Sequence, residues 1–190
     1  MKKLFLFLSI LFVGTVSFAQ GTWTADPMHS KLTFSITHMG ISSVDGLFNT
    51  FTASAQTTKA DFSDAVFELS VQVASINTQV EKRDEHLRSA DFFDVAKYPT
   101  MTFKSTGIKS MSKGKYTLTG NLTLHGVTKP VTLDLWFRGT IENPQSKAFV
   151  SGFQLTGTLK RSDFDLGAKF PAPMLSDEVQ IKADGEFIKK

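Results

Sequence analysis

Apolar and polar residues alternate along most of this chain, and this period of two constrains the fold more than any other feature. Leu32, Phe34 and Ile36, for example, are separated by polar residues, which is the pattern of a β-strand with one buried face. Residues typical of turns separate the alternating runs. We therefore predict a short first strand at residues 23–26, followed by eight substantial strands. The eight runs are 31–39, 47–57, 65–73, 101–104, 115–124, 131–138, 149–159 and 179–187.

The region between the first two long runs departs from regular alternation. Gly40 and the pair Asp45-Gly46 are residues typical of turns, and we interpret both as sites where the chain reverses direction. Phe48 falls out of step with the apolar positions that follow it. We interpret Phe48 as the site of a β-bulge.

One stretch, residues 75–99, replaces alternation with dense charge and helical spacing. Thr78 and Glu81 stand three residues apart, as in a capping box, which predicts a helix starting directly after Thr78. Asp84 and Arg88 stand four apart and are expected to pair on the helix surface. We interpret this stretch as a structured cover for one end of the molecule.

Short links between sequential strands favour antiparallel pairing, and eight such strands either close into a barrel or split into a sandwich. Most of the runs exceed the usual strand length of ~5–6 residues, which favours an elongated barrel. We therefore predict an all-β fold, an antiparallel barrel of about eight strands with one short helical crossover at about 78–94. Inward-facing apolar residues would line a ligand cavity. The predicted wall consists of Phe34, Ile36, Phe51, Phe67, Leu69, Met101, Phe103, Leu122, Leu133, Leu135, Phe153 and Leu155.

Residues 1–19 have the organisation of a signal peptide. Two lysines precede an apolar run at 4–13, and Ser17 and Ala19 occupy the positions that signal peptidase recognises. An uncleaved anchor would need ~20 continuous apolar residues, and this run is shorter. We expect cleavage after Ala19, a single domain over residues 20–190, and a periplasmic or secreted location.

Charge and cysteine content exclude several classes of function. The 21 basic residues fall to 19 without Lys2 and Lys3, against 18 acidic ones, and this balance gives no footprint for nucleic acid. The chain has no cysteine, which excludes thiolate catalysis and cysteine-ligated metals. Because no run of spanning length follows residue 19, we expect no stable membrane insertion of the mature chain.

Candidate catalytic residues are sparse. His29, His38, His86 and His125 lie in different segments without H-x-H or H-E-x-x-H spacing, and no G-x-S-x-G motif is present. We therefore assign no catalytic residue, no metal site and no cofactor. A hydrolase or metal-dependent enzyme that uses these histidines with the cluster at 83–88 stays open as an alternative, and a structural barrel with a filled core is a second.

The polar cluster of the predicted helix has two interpretations. It is either a salt-bridged helix fixed to the barrel rim or a set of head-group contacts at the mouth of a cavity. Exposed helical ion pairs contribute only ~0.3–0.5 kcal/mol each, and they are common. The candidates for contacts at the mouth are His38, Arg83, Asp84, His86, Arg88 and Arg161.

Eight short motifs follow one another through the chain after residue 25. They are Asp26-Pro27-x-His29-Ser30, Phe34-x-x-x-His38-Met39, Ile76-x-Thr78, Arg83-Asp84-x-His86-Leu87, Phe92-Phe93-Asp94 with Tyr98-Pro99, Leu122-Thr123-Leu124-His125-Gly126-Val127-Thr128-Lys129-Pro130-Val131, Arg161-x-Asp163-Phe164 and Ser176-Asp177-Glu178-Val179. With these motifs the chain resembles the YceI-like family of lipid- or polyisoprenoid-binding proteins.

The resemblance implies an extended lipocalin-like barrel whose hydrophobic tube holds a polyisoprenoid or another long-chain amphiphile, such as an acyl lipid. It implies non-enzymatic carriage or sequestration, and export to the periplasm. The oligomeric state stays open, with a homodimer as one option. One position departs from the family pattern, which usually has glycine after Arg-x-Asp-Phe, where this chain has Asp165.

Overall fold

The computed structural model describes residues 21–190, and the predicted signal peptide at 1–19 lies outside the described residues. Eleven β-strands of this part of the chain form one sheet. In chain order they are β1 (Gly21–Ala25), β2 (Lys31–His38), β3 (Ser42–Phe48), β4 (Phe51–Thr57), β5 (Val66–Gln72), β6 (Ile76–Asn77), β7 (Thr100–Ser112), β8 (Lys115–Leu124), β9 (Val127–Glu142), β10 (Phe149–Lys160) and β11 (Leu175–Lys189).

Helical structure in residues 21–190 consists of one α-helix, α1 (Glu81–Arg88), and two 3-10 turns at Val73–Ser75 and Arg161–Phe164. Across this described region, no helix combines the length and the apolar character needed to cross a membrane.

The sheet closes into a barrel because its last strand is paired along both edges. β11 pairs with β10 on one side and with β1 and β2 on the other. β1 and β2 lie one after the other along the same edge of β11 and together fill one strand position. β4, which pairs with β1, and β3, which pairs with β2, fill the next position. β5 and β6 fill the position after that. All neighbours are antiparallel, so the predicted all-β antiparallel barrel is confirmed, with eight strand positions.

Tight hairpins keep the strands in chain order around the barrel. Leu124 pairs with Val127, which leaves His125 and Gly126 as a two-residue loop. Both loop residues have positive φ, 51° and 76°, as in the type I′ turn that matches strand twist. A Cβ at Gly126 would lie 2.4 Å from Cε1 of Tyr98, so only glycine fits beside that ring.

The predicted turn at Asp45-Gly46 is wrong, because both residues lie inside β3. Gly46 pairs with Phe34 of β2, and a Cβ there would lie 2.3 Å from the Phe34 ring. The glycine therefore admits an aromatic ring over the sheet instead of reversing the chain. Phe48 is no bulge either, since it ends β3 and the chain resumes as β4 at Phe51.

The helical crossover is present, but α1 begins later than the capping box predicted, and no side chain caps it. Thr78 binds Asp84 instead, with the Thr78 N–H donating to the Asp84 carboxylate over 2.8 Å. Asp84 is buried by this contact, and it therefore does not pair with Arg88. Arg88 donates to Glu81 over 3.2 Å.

Candidate functional site

An apolar cavity of about 400 Å³ lies at the end of the barrel that α1 covers. Its walls come mainly from β2, β3, β10 and β11, and its cover comes from residues 78–93 and 160–175. The volume falls in the range of small-molecule sites, ~300–1,000 Å³. The apolar residues of its lining are Phe34, Ile36, Val44, Phe48, Leu87, Phe92, Phe93, Met101, Leu124, Leu159, Phe164, Leu166, Phe170, Met174, Leu175 and Val179.

A second apolar cavity of about 140 Å³ lies deeper in the barrel. Met101 and Leu159 line both cavities, so these two side chains stand between them. The barrel interior is therefore a tube with one wide part and one narrow part.

All twelve predicted wall residues lie on these cavities. Phe34 and Ile36 line the large cavity, and Met101 lines both. These side chains therefore face the barrel interior, as the alternation indicated. Their contact with a ligand stays a prediction. The nine residues that line the deeper cavity alone are Phe51, Phe67, Leu69, Phe103, Leu122, Leu133, Leu135, Phe153 and Leu155.

Sequence reasoning missed the part of the wall that is not made of strands. These residues lie in segments without a period of two, so the alternation pattern could not assign them to an inner face. The available signal was the presence of large apolar side chains in otherwise polar, turn-rich segments. The missed residues include Leu87, Phe92, Phe93, Phe164, Leu166, Phe170 and Met174.

The opposite end of the barrel is filled by aromatic side chains. Phe62, in the loop between β4 and β5, is almost completely buried. Its ring centroid lies 4.9 Å from those of Phe137 and Phe153 and 5.2 Å from that of Trp23. We call these four residues the aromatic plug. The alternative of a filled core therefore describes this end of the barrel but not the end beneath α1.

Asp64 holds the β4–β5 loop, which carries Phe62 of the plug. Its carboxylate accepts hydrogen bonds from the hydroxyls of Thr57 and Thr58 and from the N–H groups of Thr58 and Lys59. Burial raises the pKa of Asp64, but these hydrogen bonds outweigh burial and lower it to about 2. The loop also holds Phe62 at a φ of 59°, a conformation that bulky residues rarely adopt.

Four of the six residues predicted at the mouth line the large cavity, whereas Asp84 and Arg88 do not. Lys160 also lines this cavity. The four that line the cavity are His38, Arg83, His86 and Arg161, and their contact with a ligand stays a prediction.

Arg161 anchors the cover of the cavity. The side chain is buried, and a guanidinium carries five N–H groups. All five donate to backbone carbonyls, so a head-group contact by Arg161 would require one of these bonds to break. The acceptors are the carbonyls of Leu166, Gly167, Phe170, Leu175 and Ser176.

Arg83 is only partly engaged. Its Nε donates to the Thr78 hydroxyl over 2.7 Å, and its Nη2 donates to the Thr78 carbonyl over 2.8 Å. Within residues 21–190, Nη1 makes no hydrogen bond. Arg83 therefore offers a charged donor at the cavity wall, while Asp84 is committed to Thr78 on the other side of the same turn.

His86 joins the two segments that cover the cavity. Its ring packs edge-on against Phe92 and Phe170, at 5.1 and 5.5 Å, and those two rings stack at 4.8 Å. Its Nε2 lies 3.5 Å from Asp91, which also binds Lys169. The hydrogen bond from Lys169 lowers the pKa of Asp91. One aromatic stack and one ion pair thus hold the cover together.

The four histidines do not gather at one site. His38 and His86 line the large cavity. His125 packs against Tyr98 at 4.8 Å, and its Nδ1 lies 3.1 Å from the Phe164 carbonyl oxygen. This contact fixes the β8–β9 hairpin to the second 3-10 turn.

His29 lies apart from the other histidines, in the turn between β1 and β2. Its Nδ1 lies 2.6 Å from Asp26, and this hydrogen bond raises the pKa of His29. Within the described residues, Asp26, His29 and Glu186 are the one group of three close potential metal ligands. None of them lines either cavity, and the His29 side chain is 60% exposed.

Asp165 ends the second 3-10 turn in the left-handed conformation, with φ 52° and ψ 29°. Glycine adopts this conformation without steric cost, and aspartate tolerates it better than most residues. The backbone geometry accounts for the glycine that the resemblance leads one to expect. The turn forms here with aspartate in its place.

Comparison with other proteins agrees with this architecture. The chain is 36% identical over 162 residues to a UPF0312 protein of Vibrio parahaemolyticus, covering 85% of this chain and 83% of that protein. It is 35% identical over 169 residues to a UPF0312 protein of Staphylococcus aureus, covering 87% and 96%.

Solved structures share the fold. The Campylobacter jejuni YceI protein matches with a TM-score of 0.74 at 29% identity, covering 100% of this chain and 99% of that one. BcnA of Burkholderia cenocepacia matches with a TM-score of 0.75 at 26% identity, covering 85% and 98%. A polyisoprenoid binding domain from Saccharophagus degradans matches at 16% identity with a TM-score of 0.69, covering 90% and 99%. The model of the YceI-like domain matches residues 23–187, and the chain therefore belongs to the YceI-like domain family.

Proposed function

We propose that this protein binds a polyisoprenoid or another long-chain amphiphilic lipid in its barrel and carries or sequesters it without chemical change. The observation that carries the proposal is the large cavity, whose wall is apolar along its depth and whose basic groups sit among the residues of its cover. A chain lipid has the same division between an apolar tail and one polar end.

The energetics of such a site need no strong polar clamp. Burial of ~20 tail carbons at ~0.8 kcal/mol each contributes roughly 16 kcal/mol. Association costs about 4–15 kcal/mol. A tail that fills the large cavity would extend into the deeper one by moving Met101 and Leu159, the residues that separate them. Tube length and bore would then set which lipids compete for the site.

We place the lipid head group near Arg83, His38 and Lys160. Arg83 keeps its Nη1 free, and in residues 21–190 neither His38 nor Lys160 takes part in an ion pair or a side-chain hydrogen bond. These donors suit a head group that accepts hydrogen bonds or carries negative charge.

Support from relatives is limited to family and fold. A chain of the same fold is a polyisoprenoid binding domain, but at 16% identity that likeness supports the fold alone. The YceI-like family is not a known enzyme family, and the histidines of this chain are dispersed. We therefore propose binding without catalysis.

We also propose that the protein is exported, on the strength of residues 1–19 alone. Mass spectrometry of the protein recovered from periplasmic extracts should give a chain that begins at Gln20. Recovery of an intact N-terminus from the cytoplasm would refute the proposal.

Ligand identification tests the main proposal directly. Native mass spectrometry and organic extraction of the purified protein should show a chain lipid, and delipidated protein should take up added isoprenoid. A protein that is empty as purified and also fails to take up isoprenoid would overturn the proposal.

A matched pair of tryptophan substitutions locates the site. Val179 lines the large cavity, and its neighbour Gln180 is exposed on the outer face of β11. Val179→Trp should fill the cavity and abolish uptake, whereas Gln180→Trp should bind like the wild type. Equal uptake by both variants would place the lipid elsewhere.

A further inference from the structure

We propose that the edge of the large cavity docks on a lipid bilayer and that the ligand passes between bilayer and barrel there. This inference rests on the proposed lipid-binding function and adds the surface at which the lipid is exchanged. We define the rim as Met39, Ile41, Val80 and Met174.

The rim residues are apolar side chains left in water. Met39, Ile41, Val80 and Met174 are 59%, 86%, 47% and 51% exposed. Exposed apolar groups that cluster at the mouth of a site mark interaction surfaces, whereas single ones need no explanation. The clustering therefore decides whether these four have a common role.

Backbone contacts place the rim at the mouth. Met174 lines the large cavity itself, and its carbonyl accepts the Met39 N–H over 2.9 Å. Ile41 donates its N–H to the carbonyl of His38, another lining residue, over 3.2 Å. Val80 is the N-cap of α1, and its carbonyl accepts the N–H of the lining residue Arg83 over 3.0 Å. The rim thus borders the mouth from two turns and from the start of α1.

A bilayer fits this rim better than a protein partner does. The four rim residues lie on two turns and at the start of α1, while a stable protein interface engages ~20–30 residues a side. A few large apolar side chains of this kind suit the boundary between head groups and acyl chains. Lys160 at the same mouth can meet lipid phosphates. A mouth seated in the bilayer also lets an apolar tail enter the barrel without crossing water.

Vesicle flotation tests the proposal. The sample is the chain from Gln20 onward, which retains the described barrel and core and lacks the apolar run at 4–13 that would itself bind lipid. Vesicles contain equimolar phosphatidylethanolamine and phosphatidylglycerol. Met39→Ser/Ile41→Ser/Val80→Ser changes the three rim residues that do not line the cavity and should weaken vesicle binding on the order of a hundredfold. Its uptake of isoprenoid from detergent solution should not change.

A control variant uses exposed apolar residues that line neither cavity. Met111→Ser/Ile141→Ser/Phe149→Ser removes a similar apolar surface and should bind vesicles like the wild type. Wild-type protein that does not float, a rim variant that floats equally well, or a rim-dependent dimer without vesicle binding would each overturn the docking proposal. If the wild type floats but takes up no lipid from detergent, the docking surface stands and the lipid-binding function fails.

Discussion

The two ends of the barrel are built by the same alternating strands but differ in what fills them. At the barrel end that carries the β4–β5 loop, Phe62 inserts among Trp23, Phe137 and Phe153, and its ring is almost completely buried. At the end beneath α1, the cover stays above a cavity of about 400 Å³. The β4–β5 loop inserts the Phe62 ring into the tube, whereas the segment that contains α1 spans the mouth of the tube.

The two ends therefore divide two roles of a barrel core, which are to stabilise the fold and to offer apolar surface to a ligand. At the filled end the Phe62 ring is surrounded by other side chains, so its burial stabilises the fold. At the hollow end the inward side chains face empty space, so their apolar surface is available to a ligand. Substitutions at the two ends should therefore affect different measurements.

Removal of the Phe62 ring from the plug should have the largest effect on stability. Phe62→Ala should lower the free energy of unfolding by about 3–5 kcal/mol, because the ring is fully surrounded. Phe170→Ala, in the half-buried cover of the hollow end, should lower it by less than half as much. Urea denaturation of both variants measures the contrast. Equal losses would mean that the two ends are packed alike.

A change at the junction of the two cavities should alter ligand length. Met101→Trp should block the passage between them, and affinity for the longest prenyl chains should fall on the order of tenfold while short chains bind normally. The cost in stability should be about 1–3 kcal/mol. Uptake across a series of prenyl lengths is the measurement, with Met101→Leu as the control. A uniform loss at every length would show that the deeper cavity takes no part.

Acid should loosen the filled end through Asp64. The folded-state pKa is lowered from 3.8 to about 2, so the stabilisation is present above pH 3.8 and is lost as the pH falls toward 2. After allowance for solvent screening, it amounts to roughly 1 kcal/mol. Asp64→Asn should remove this part of the pH dependence, measured as unfolding free energy between pH 2 and pH 5 (roughly the titration range of carboxylates). An unchanged acid profile in the variant would contradict the assignment.

The smallest effect is expected at Asp165, in the cover of the hollow end. Asp165→Gly should change stability by less than about 1 kcal/mol, because glycine suits the left-handed conformation and aspartate already tolerates it. Asp165→Val should be the less stable variant of the pair. Thermal unfolding compares them, and a Val variant as stable as the Gly variant would argue against the left-handed turn.

Alternation was sufficient to predict the barrel and the parity of its wall. All twelve wall residues face a cavity because a period of two places every second side chain on the same face once a strand forms. It failed at Gly46, where the reason for the glycine is the ring of Phe34 from the neighbouring strand. A contact between strands leaves no trace in the local pattern.

Local signals also misled at α1. Thr78 and Glu81 have the spacing of a capping box, but Thr78 binds the buried Asp84 instead. Arg161 looked like a mouth residue by its charge, whereas its five N–H groups hold the backbone of the cover. The sequence shows that a side chain is charged, but it does not show which groups of the fold already bind that side chain.

By itself, the sequence determined most of the strands, their inner faces and the helical crossover, because these follow from side-chain period along one segment. Only the tertiary structure decided that Phe62 fills one end of the tube and that the other end stays hollow. That choice depends on how two loops of different shape pack across the barrel ends, where residues far apart in the chain share one volume.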